Sequence, residues 1–474
     1  MRRYTPLETR RRLAYSYQSD LLSYDASRPS LCRRADTSGL VAGSRVMEKL
    51  LTAVFSKLVR RGALTIVTAR GHEHTFGDGS GEEVRVRFMD AGAEWGILLN
   101  PELRVGELFM DGRMIVVRGT IYDFLALALR DMHVRPRSLP ERIVERTRFL
   151  LRSTVSRNNL WRAQRNVAHH YDLDHRLYEM FLDGDQQYSC AYFERPEQSL
   201  EEAQLAKKRL VTAKLVLEPD SRVLDIGAGW GGLGLYLRKV GGAAEVLGIT
   251  LSKEQLQVAR ARALEQGFDT TVRFALRDYR EVDGTFDRIV SVGMFEHVGP
   301  RFYATYFNKC RQLLKPDGVM LLHTIGHMDG PWYPNPWLDK YIFPGGQLPA
   351  LSEIVPAMER AGLLVTDVEC LRTHYAMTLA EWRRRFMARR DEALVLYDER
   401  FCRMWEYYLS ACEAAFRFQN VAVFQVQCAR NLEAVPMTRE YIAERMQDLR
   451  MREAQLTAAD EGTEEPVQLR KQRL

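Results

Sequence analysis

The sequence has few of the features that mark secreted, metal-binding or membrane-spanning proteins. Seven cysteines are scattered over 474 residues with no CxxC pair, so their spacing suggests neither a disulfide framework nor a zinc site. No run approaches the roughly 20 apolar residues that span a bilayer, and the basic start is followed by no apolar secretory core. With 46% hydrophobic and 27% charged residues, the composition is typical of a globular cytoplasmic protein with two or three domains.

Positive charge is concentrated in one segment. The whole chain has a net charge of +6, whereas residues 130–165 hold ten arginines against three acids, a net charge of about +7. Within this segment, "RIVERTRFLLRS" interleaves arginines with apolar residues as an amphipathic helix does. Such a helix can lie on an anionic membrane surface or be a solvated linker, and both interpretations stay open. No recognised nucleic-acid-binding module accompanies the charge, so no nucleic-acid partner is expected.

Changes of pattern divide the chain into five segments. Short strand-like runs between Gly-rich turns predict a small α+β domain, and alternating strand-like and helical stretches farther on predict a parallel α/β sheet. Two apolar strands, "LLVTDVECL" and "VAVFQVQCA", are expected at an antiparallel end of that sheet, with two long helices between them. The predicted segments are a mobile basic extension (1–40), the small domain (41–130), a basic connector (131–165), the α/β domain (166–440) and a charged tail, helical or disordered (441–474).

A glycine-rich turn is the first motif that indicates a ligand. In "SRVLDIGAGWGGLGLYL" a short apolar strand leads through an aspartate and a turn into a helix. Glycines there let the backbone approach a nucleotide at the carboxyl end of a parallel strand, although they can also serve packing alone. A dinucleotide site typically has GxGxxG and an acidic residue at the end of the second strand. Here the second strand ends in Thr250 and Ser252, so that acid is missing. Asp278 follows a third strand, where it can accept from an adenine amino group, and this order resembles the S-adenosylmethionine-dependent methyltransferase fold.

Seven sequence blocks narrow this resemblance to a family. They are "QYSCAYF", "VLDIGAGWGG", "ITLSKEQ", "DRIVSVGMFEHVG", "LLHTIG", "KYIFPGG" and "YYLSACEAAF". Together they resemble the cyclopropane fatty acyl phospholipid synthases and the related mycolic acid cyclopropane synthases, over about residues 185–430. The block "VGELFMDG" extends the likeness into the small domain. The resemblance implies an α/β methyltransferase with a Rossmann-like seven-stranded sheet and a smaller α+β N-terminal lipid-binding domain.

The same resemblance implies a reaction and a set of catalytic residues. A methylene derived from S-adenosylmethionine is added to the cis double bond of acyl chains in membrane phospholipids, through a carbocation that a bound bicarbonate deprotonates. An alkene is a poor nucleophile, so it has to be held in line with the methyl donor in a water-free pocket. By resemblance, Glu296 and His323 orient the bicarbonate, Tyr375 donates a hydrogen bond, and the backbone amides of Cys190 and Ile325 complete its cradle.

The cofactor site implied by the resemblance draws on four segments of the α/β domain. Its residues are Tyr188, Ser189, Asp225, Gly227, Gly229, Gly231, Thr250, Leu251, Gln255, Asp278 and Tyr279.

Simpler roles remain open for several of these side chains. Glu296 could merely favour a helix N-terminus through the helix dipole, and His323 could be a satisfied core histidine. The Cys190 thiol is expected to be dispensable, because the reaction needs no covalent enzyme intermediate. His297 is expected to cap or pack rather than to act on the same atom as Glu296.

The resemblance also implies partners and leaves alternatives. We expect an enzyme that associates peripherally with the inner, anionic face of the membrane, acts on phospholipids with unsaturated chains and forms a homodimer. The alternatives are an acyl C-methyltransferase with a methyl-branched product, a small-molecule methyltransferase and a non-catalytic lipid-binding protein.

Overall fold

The computed structural model describes residues 37–131, 147 and 173–463. The predicted basic connector lies outside the described residues except for Asp131 and Thr147. Residues 1–36 of the predicted extension and 464–474 of the predicted tail also lie outside them. Among the helices that are described, none combines the length and the apolar character that crossing a bilayer requires.

The first sheet lies in the segment predicted as the small domain and has four strands in the order β2-β1-β3-β4. Strand β1 is antiparallel to β2 and parallel to β3, and β4 returns antiparallel to β3. The elements of this part are α1 (Thr37–Leu58), β1 (Ala63–Val67), β2 (Glu73–Phe76), β3 (Glu83–Phe88), α2 (Ala91–Leu99), α3 (Pro101–Met110), β4 (Met114–Arg118) and α4 (Ile121–Leu129).

Alternation and capping explain these elements. In β3 the apolar residues Val84, Val86 and Phe88 are buried and the residues between them are not, as expected for a strand with one face on a core. Helix α4 begins with a capping box in which Thr120 and Asp123 each accept a hydrogen bond from the other's backbone N–H.

The second sheet has seven strands in the order β10-β11-β9-β8-β5-β6-β7. Strand β11 pairs antiparallel with both β9 and β10, and the other pairings are parallel. The predicted methyltransferase-type sheet with an antiparallel end is therefore confirmed. Its strands are β5 (Arg222–Ile226), β6 (Glu245–Thr250), β7 (Val272–Leu276), β8 (Phe286–Val292), β9 (Leu314–His327), β10 (Leu364–Leu371) and β11 (Val421–Ala429).

Helices cover both faces of this sheet. Successive strand residues point to opposite faces, so Leu224 packs with Phe307 in one core and its neighbour Val223 packs with Leu235 in another. The helices are α5 (His175–Glu179), α6 (Leu200–Lys214), α7 (Gly232–Lys239), α8 (Lys253–Glu265), α9 (Tyr303–Leu313), α10 (Pro336–Tyr341), α11 (Leu351–Arg360), α12 (His374–Ala388), α13 (Arg390–Leu396), α14 (Glu399–Phe418) and α15 (Glu440–Thr463). Short 3₁₀ turns lie at Tyr279–Glu281, Phe295–His297, Pro300–Phe302 and Leu432–Ala434.

One expectation differs in detail from the structure, and the choice left open for the charged tail has a structural outcome over residues 441–463. Three helices, α12, α13 and α14, occupy the stretch where two long ones were expected. The backbone leaves the helical conformation at Arg389 as well as at Tyr397, and Asp398 then caps α14 at Phe401 N. In the stretch expected to be helical or disordered, α15 packs on α6 and buries Tyr441 and Met446.

The small domain packs directly on the α/β domain through α3. The ring of Phe109 lies 6.4 Å from that of Tyr407 in α14, and Lys340 of α10 pairs with Glu107 at 2.6 Å. A Cβ at Gly106 would collide with the indole of Trp337. The blocks "VGELFMDG" and "KYIFPGG", distant in sequence, therefore meet at this contact.

Candidate active site

A cleft opens at the carboxyl ends of β5, β6, β7 and β8. This is the edge at which parallel α/β sheets bind nucleotides. Ten of the predicted cofactor residues line it, namely Tyr188, Ser189, Asp225, Gly227, Gly229, Thr250, Leu251, Gln255, Asp278 and Tyr279. The eleventh, Gly231, instead precedes α7 as its N-cap.

The glycine turn after β5 leaves room for a ligand. Gly229 has φ +56°, and a Cβ built there would meet nothing within 4 Å, so its backbone faces open space in the cleft. Gly231, at φ +86°, is packed differently, because a Cβ there would come within 2.8 Å of Phe274. One glycine thus keeps the ligand space free, and the other lets α7 pack closely on the sheet.

Asp225, the last polar residue of β5, is buried in the cleft wall at 1% exposure. Its Oδ2 has no hydrogen-bond partner among the described residues. Burial raises the pKa of the carboxyl to about 7, although the nearby Lys207 ammonium lowers it in part. A buried acceptor that lacks a protein partner is suited to a ligand that brings a donor.

Polar groups after β6 and β7 complete the cofactor wall. Thr250 donates to Gln255 Oε1 at 3.0 Å and accepts from the backbone N–H of Ser252. Asp278 receives the guanidinium of Arg280 at 2.7 and 2.8 Å. Its carboxylate is thus held in a fixed orientation at the cleft.

Glu296 lies in the 3₁₀ turn after β8 and is 6% exposed. Its Oε1 accepts from the Ile325 backbone N–H at 2.7 Å, whereas Oε2 is buried with no partner in the described part of the chain. Burial raises the pKa of this carboxyl to about 7. No side chain caps this turn, so Glu296 does not act as its N-cap. One carboxyl oxygen instead binds the backbone of β9, and the other is available to a ligand.

His323 lies on β9, two residues before Ile325, and is 2% exposed. Burial lowers the pKa of its imidazole to about 3, so the ring is neutral. The side-chain amide of Gln425 lies 3.2 Å from Nδ1; with the amide nitrogen donating, the ring proton is on Nε2. Nε2 is buried and meets no partner among residues 37–131, 147 and 173–463.

The remaining catalytic candidates surround the same region. Cys190 directly follows the cleft residue Ser189; burial raises the pKa of its thiol, which donates to the Ala191 carbonyl at 3.3 Å. The Ile325 amide, predicted to face a bound ion, here donates to Glu296. The Cys190 thiol is therefore not arranged as a nucleophile, and the Ile325 N–H is already paired with a protein group.

Tyr375 begins α12 within an aromatic wall. Its ring meets Trp382 edge-on at 5.8 Å and Phe416 at 4.7 Å. Tyr188, from the cleft, stacks on the same Trp382 at 5.2 Å and shares a hydrogen bond of 2.7 Å with Tyr408. This wall joins the cofactor cleft to Tyr375, and its π faces can stabilise a cation.

His297 packs as expected, with an additional role in the cleft wall. Its ring meets Phe343 edge-on at 6.3 Å and lines the cleft. Burial lowers the pKa of this imidazole to about 4, which keeps it neutral.

Comparisons with known proteins decide the family. The model of the mycolic acid cyclopropane synthetase family matches residues 158–426, more than half of the chain. The chain belongs to this family. The cyclopropane-fatty-acyl-phospholipid synthase of Escherichia coli (strain K12) is 45% identical over 264 residues, which cover 56% of this chain and 67% of that protein.

Two other family relatives show its range. The tuberculostearic acid methyltransferase of Mycobacterium tuberculosis is 41% identical over 276 residues, 56% of this chain and 64% of that protein. The crystal structure of a mycolic acid cyclopropane synthase complexed with SAH and CTAB superposes with a TM-score of 0.53 at 36% identity, covering 56% of this chain and 97% of that one. The chain is therefore an S-adenosylmethionine-dependent methyltransferase of the cyclopropane synthase family.

The cleft fits this cofactor on its own geometry. The open backbone at Gly229 admits a ligand, and the free Asp225 Oδ2 can accept from its amino group. Thr250 and Gln255 add a paired hydroxyl and amide to the cleft wall. When bound, S-adenosylmethionine supplies an electrophilic methyl group.

Sequence reasoning missed one buried charge in this cleft. Lys207 of α6 lines the cleft and is 0% exposed. Within "EEAQLAKKRL" a lysine ordinarily indicates a solvated face. The available signal was its position: Ala203, Ala206 and Leu210 lie on the same helical face and are buried.

Proposed function

We propose that the chain is a cyclopropane fatty acid synthase that adds a methylene from S-adenosylmethionine to cis double bonds of phospholipid acyl chains. The observation that carries the proposal is that two buried polar atoms, Glu296 Oε2 and His323 Nε2, have no partner among the described residues. Both residues adjoin the cleft wall, because His297 follows Glu296 and Val292 pairs with His323, and His297 and Val292 line the cleft. The π electron pair of the alkene forms a bond to the methyl carbon while the methyl–sulfur bond breaks with its electron pair kept by sulfur, which leaves S-adenosylhomocysteine and a carbocation on the acyl chain. A base then takes a proton from the new methyl, and the electron pair of that C–H bond closes the ring.

A bicarbonate ion at Glu296 and His323 would supply the base that takes this proton. His323 carries its proton on Nε2 when Gln425 donates to Nδ1, so it can donate to an oxygen of the ion. In its ionised form, Glu296 can accept a hydrogen bond from the ion's hydroxyl at Oε2, while the Ile325 N–H holds Oε1 in place. A donor and an acceptor fixed before the reaction fit a small ion that needs both. Tyr375 and the Cys190 amide are the remaining proposed donors.

The environment suits a cation on a hydrocarbon chain. The thiol of Cys190 is buried and kept protonated by its raised pKa, so it does not trap the cation. The ring of Tyr188 lines the cleft and is backed by the stacked ring of Trp382, and an aromatic face of this kind is worth about 0.5–2 kcal/mol toward a cation.

A phospholipid substrate is supported by the relatives and by the small domain. The Escherichia coli relative is named for fatty acyl phospholipids, and α3 places the small domain against α10 and α14. We place the enzyme at the inner face of the membrane, in peripheral contact with anionic lipid. Homodimerisation stays a prediction.

The second candidate is an acyl C-methyltransferase that leaves a methyl branch. Its support is the 41% identity to a tuberculostearic acid methyltransferase. Both products need the same cofactor cleft, so they differ in the fate of the cation.

The substrate is tested by offering the same cis-unsaturated chain in two forms. Purified enzyme receives S-adenosylmethionine with a radiolabelled methyl group and either phospholipid vesicles or acyl thioesters of a carrier protein. Label in the vesicle lipid is expected, and label only in the thioester would overturn the phospholipid assignment. In carbon-dioxide-free buffer, turnover should fall and return on addition of bicarbonate; turnover that ignores bicarbonate would exclude it as the base.

A further inference from the structure

A buried lysine and a glutamine of α6 hold one wall of the cofactor cleft. The Lys207 ammonium donates to Ser189 Oγ at 3.0 Å and to Gln187 Oε1. One turn earlier, the Gln204 amide donates to the backbone carbonyls of Gln187 and Ser189 at 3.1 and 2.9 Å. The segment Gln187–Ser189, which lines the cleft, is therefore fixed through both its side chains and its backbone.

This segment is also tied to the glycine turn. Gln187 Nε2 donates to Asp185 Oδ2 at 2.9 Å, and a Cβ on Gly232 would collide with both side chains. Arg262 of α8 donates to the backbone carbonyls of Asp185 and Trp230 at 3.2 and 3.0 Å. The position of the segment is thus coupled to the backbone that receives the cofactor.

The ammonium is not explained by packing. Lys207 is 0% exposed and its two direct partners are neutral. An apolar side chain of similar length would fill the same volume without the cost of burying a charge. Lys214, on the same helix and equally buried, pairs with carboxylates of Glu369 and Asp367, which is the ordinary solution for a buried lysine.

We propose that Lys207 is a positioning residue for cofactor binding, which acts by holding Gln187 and Ser189 against the glycine turn. Gln204 assists by holding the backbone of the same segment. This role concerns S-adenosylmethionine binding and is independent of the acyl substrate and of bicarbonate.

The test measures binding of S-adenosylhomocysteine to the full chain by calorimetry. Lys207→Met should raise the Kd about tenfold or more, because hydrogen bonds from a charged group are lost. Lys214→Met is the matched control; it removes an equally buried lysine outside the cleft and should leave the Kd unchanged. In steady-state assays, Lys207→Met should raise KM for S-adenosylmethionine more than it lowers kcat.

A double-mutant cycle separates positioning from a general loss of structure. If Lys207 acts through Gln187, then Lys207→Met combined with Gln187→Met should weaken binding little more than the stronger single change. The proposal is overturned if Lys207→Met binds S-adenosylhomocysteine with the wild-type Kd, or if Lys214→Met weakens binding equally. It is also overturned if the effects of Lys207→Met and Gln187→Met on binding are fully additive. Should Lys207→Met fail to fold, Gln204→Met carries the same prediction: a raised Kd supports it, and an unchanged Kd overturns it.

Discussion

Replacing Glu296 by glutamine should stabilise the protein while it removes activity. The carboxyl is 6% exposed, and burial raises its pKa from 4.5 to about 7. The folded chain therefore keeps this proton at a pH where the unfolded chain has released it. By linkage, this contribution to the free energy of unfolding is present below pH 4.5 and is lost as the pH rises through about 7.

The size of the effect follows from the pKa shift. A shift of about 2.5 units corresponds to about 3 kcal/mol at 1.36 kcal/mol per unit. Glu296→Gln keeps an acceptor for the Ile325 N–H but has no proton to lose. It should exceed the wild type in free energy of unfolding by about 3 kcal/mol near pH 8 and by less than about 1 kcal/mol near pH 5.

Urea unfolding at the two pH values, followed by tryptophan fluorescence, measures this difference. Glu433→Gln, at an exposed position, is the control and should change stability little at either pH. If Glu296→Gln gains no stability near pH 8, or gains equally at both pH values, the claim that burial raises the pKa of Glu296 is refuted. Turnover of Glu296→Gln should fall by about a hundredfold or more, because the proposed base loses one of the groups that hold and orient it.

Three further changes test individual parts of the site. His323→Gln should lower kcat about a hundredfold or more with little change in the Kd for S-adenosylhomocysteine. A raised Kd would contradict the assignment of His323 to the base and indicate a role in cofactor binding. Cys190→Ser should keep most of its turnover, because only the backbone amide has an assigned role; an inactive but folded variant would contradict this. Gly229→Ala should weaken cofactor binding, because its Cβ enters the cleft at φ +56°. Gly267→Ala is the control, since it has φ +70°, equally open surroundings and similar backbone strain of about 1–2 kcal/mol. This control should bind the cofactor normally. Calorimetry compares the two glycine variants, and equal Kd values would remove Gly229 from the cofactor site.

Much of the fold could be predicted because local pattern and global position agree. The strand that contains Asp225 is short and mostly apolar, and the glycines after it have few uses other than a tight turn. The turn itself therefore predicted the end of the strand. Thr250 ends β6 and Asp278 follows β7 of the same parallel sheet, and the carboxyl ends of such strands meet at one edge.

Features set by distant contacts could not be predicted in this way. Strand β2 is only four residues long, and its burial pattern shows one buried residue, Phe76, so it has no readable alternation. The close contact of Gly106 with Trp337 joins positions far apart in sequence. Burial of Lys207 depends on partners contributed by Gln187 and Ser189, which the sequence of α6 does not contain.

The fate of the transferred methyl group is the most direct test of the account. Phospholipid vesicles with cis-unsaturated chains are incubated with the enzyme and methyl-deuterated S-adenosylmethionine, and the acyl chains are analysed by mass spectrometry. Ring closure with loss of one proton from the new methyl predicts two of the three deuterium atoms in a saturated ring. Retention of all three in a methyl-branched chain would contradict ring formation and identify the chain as an acyl C-methyltransferase.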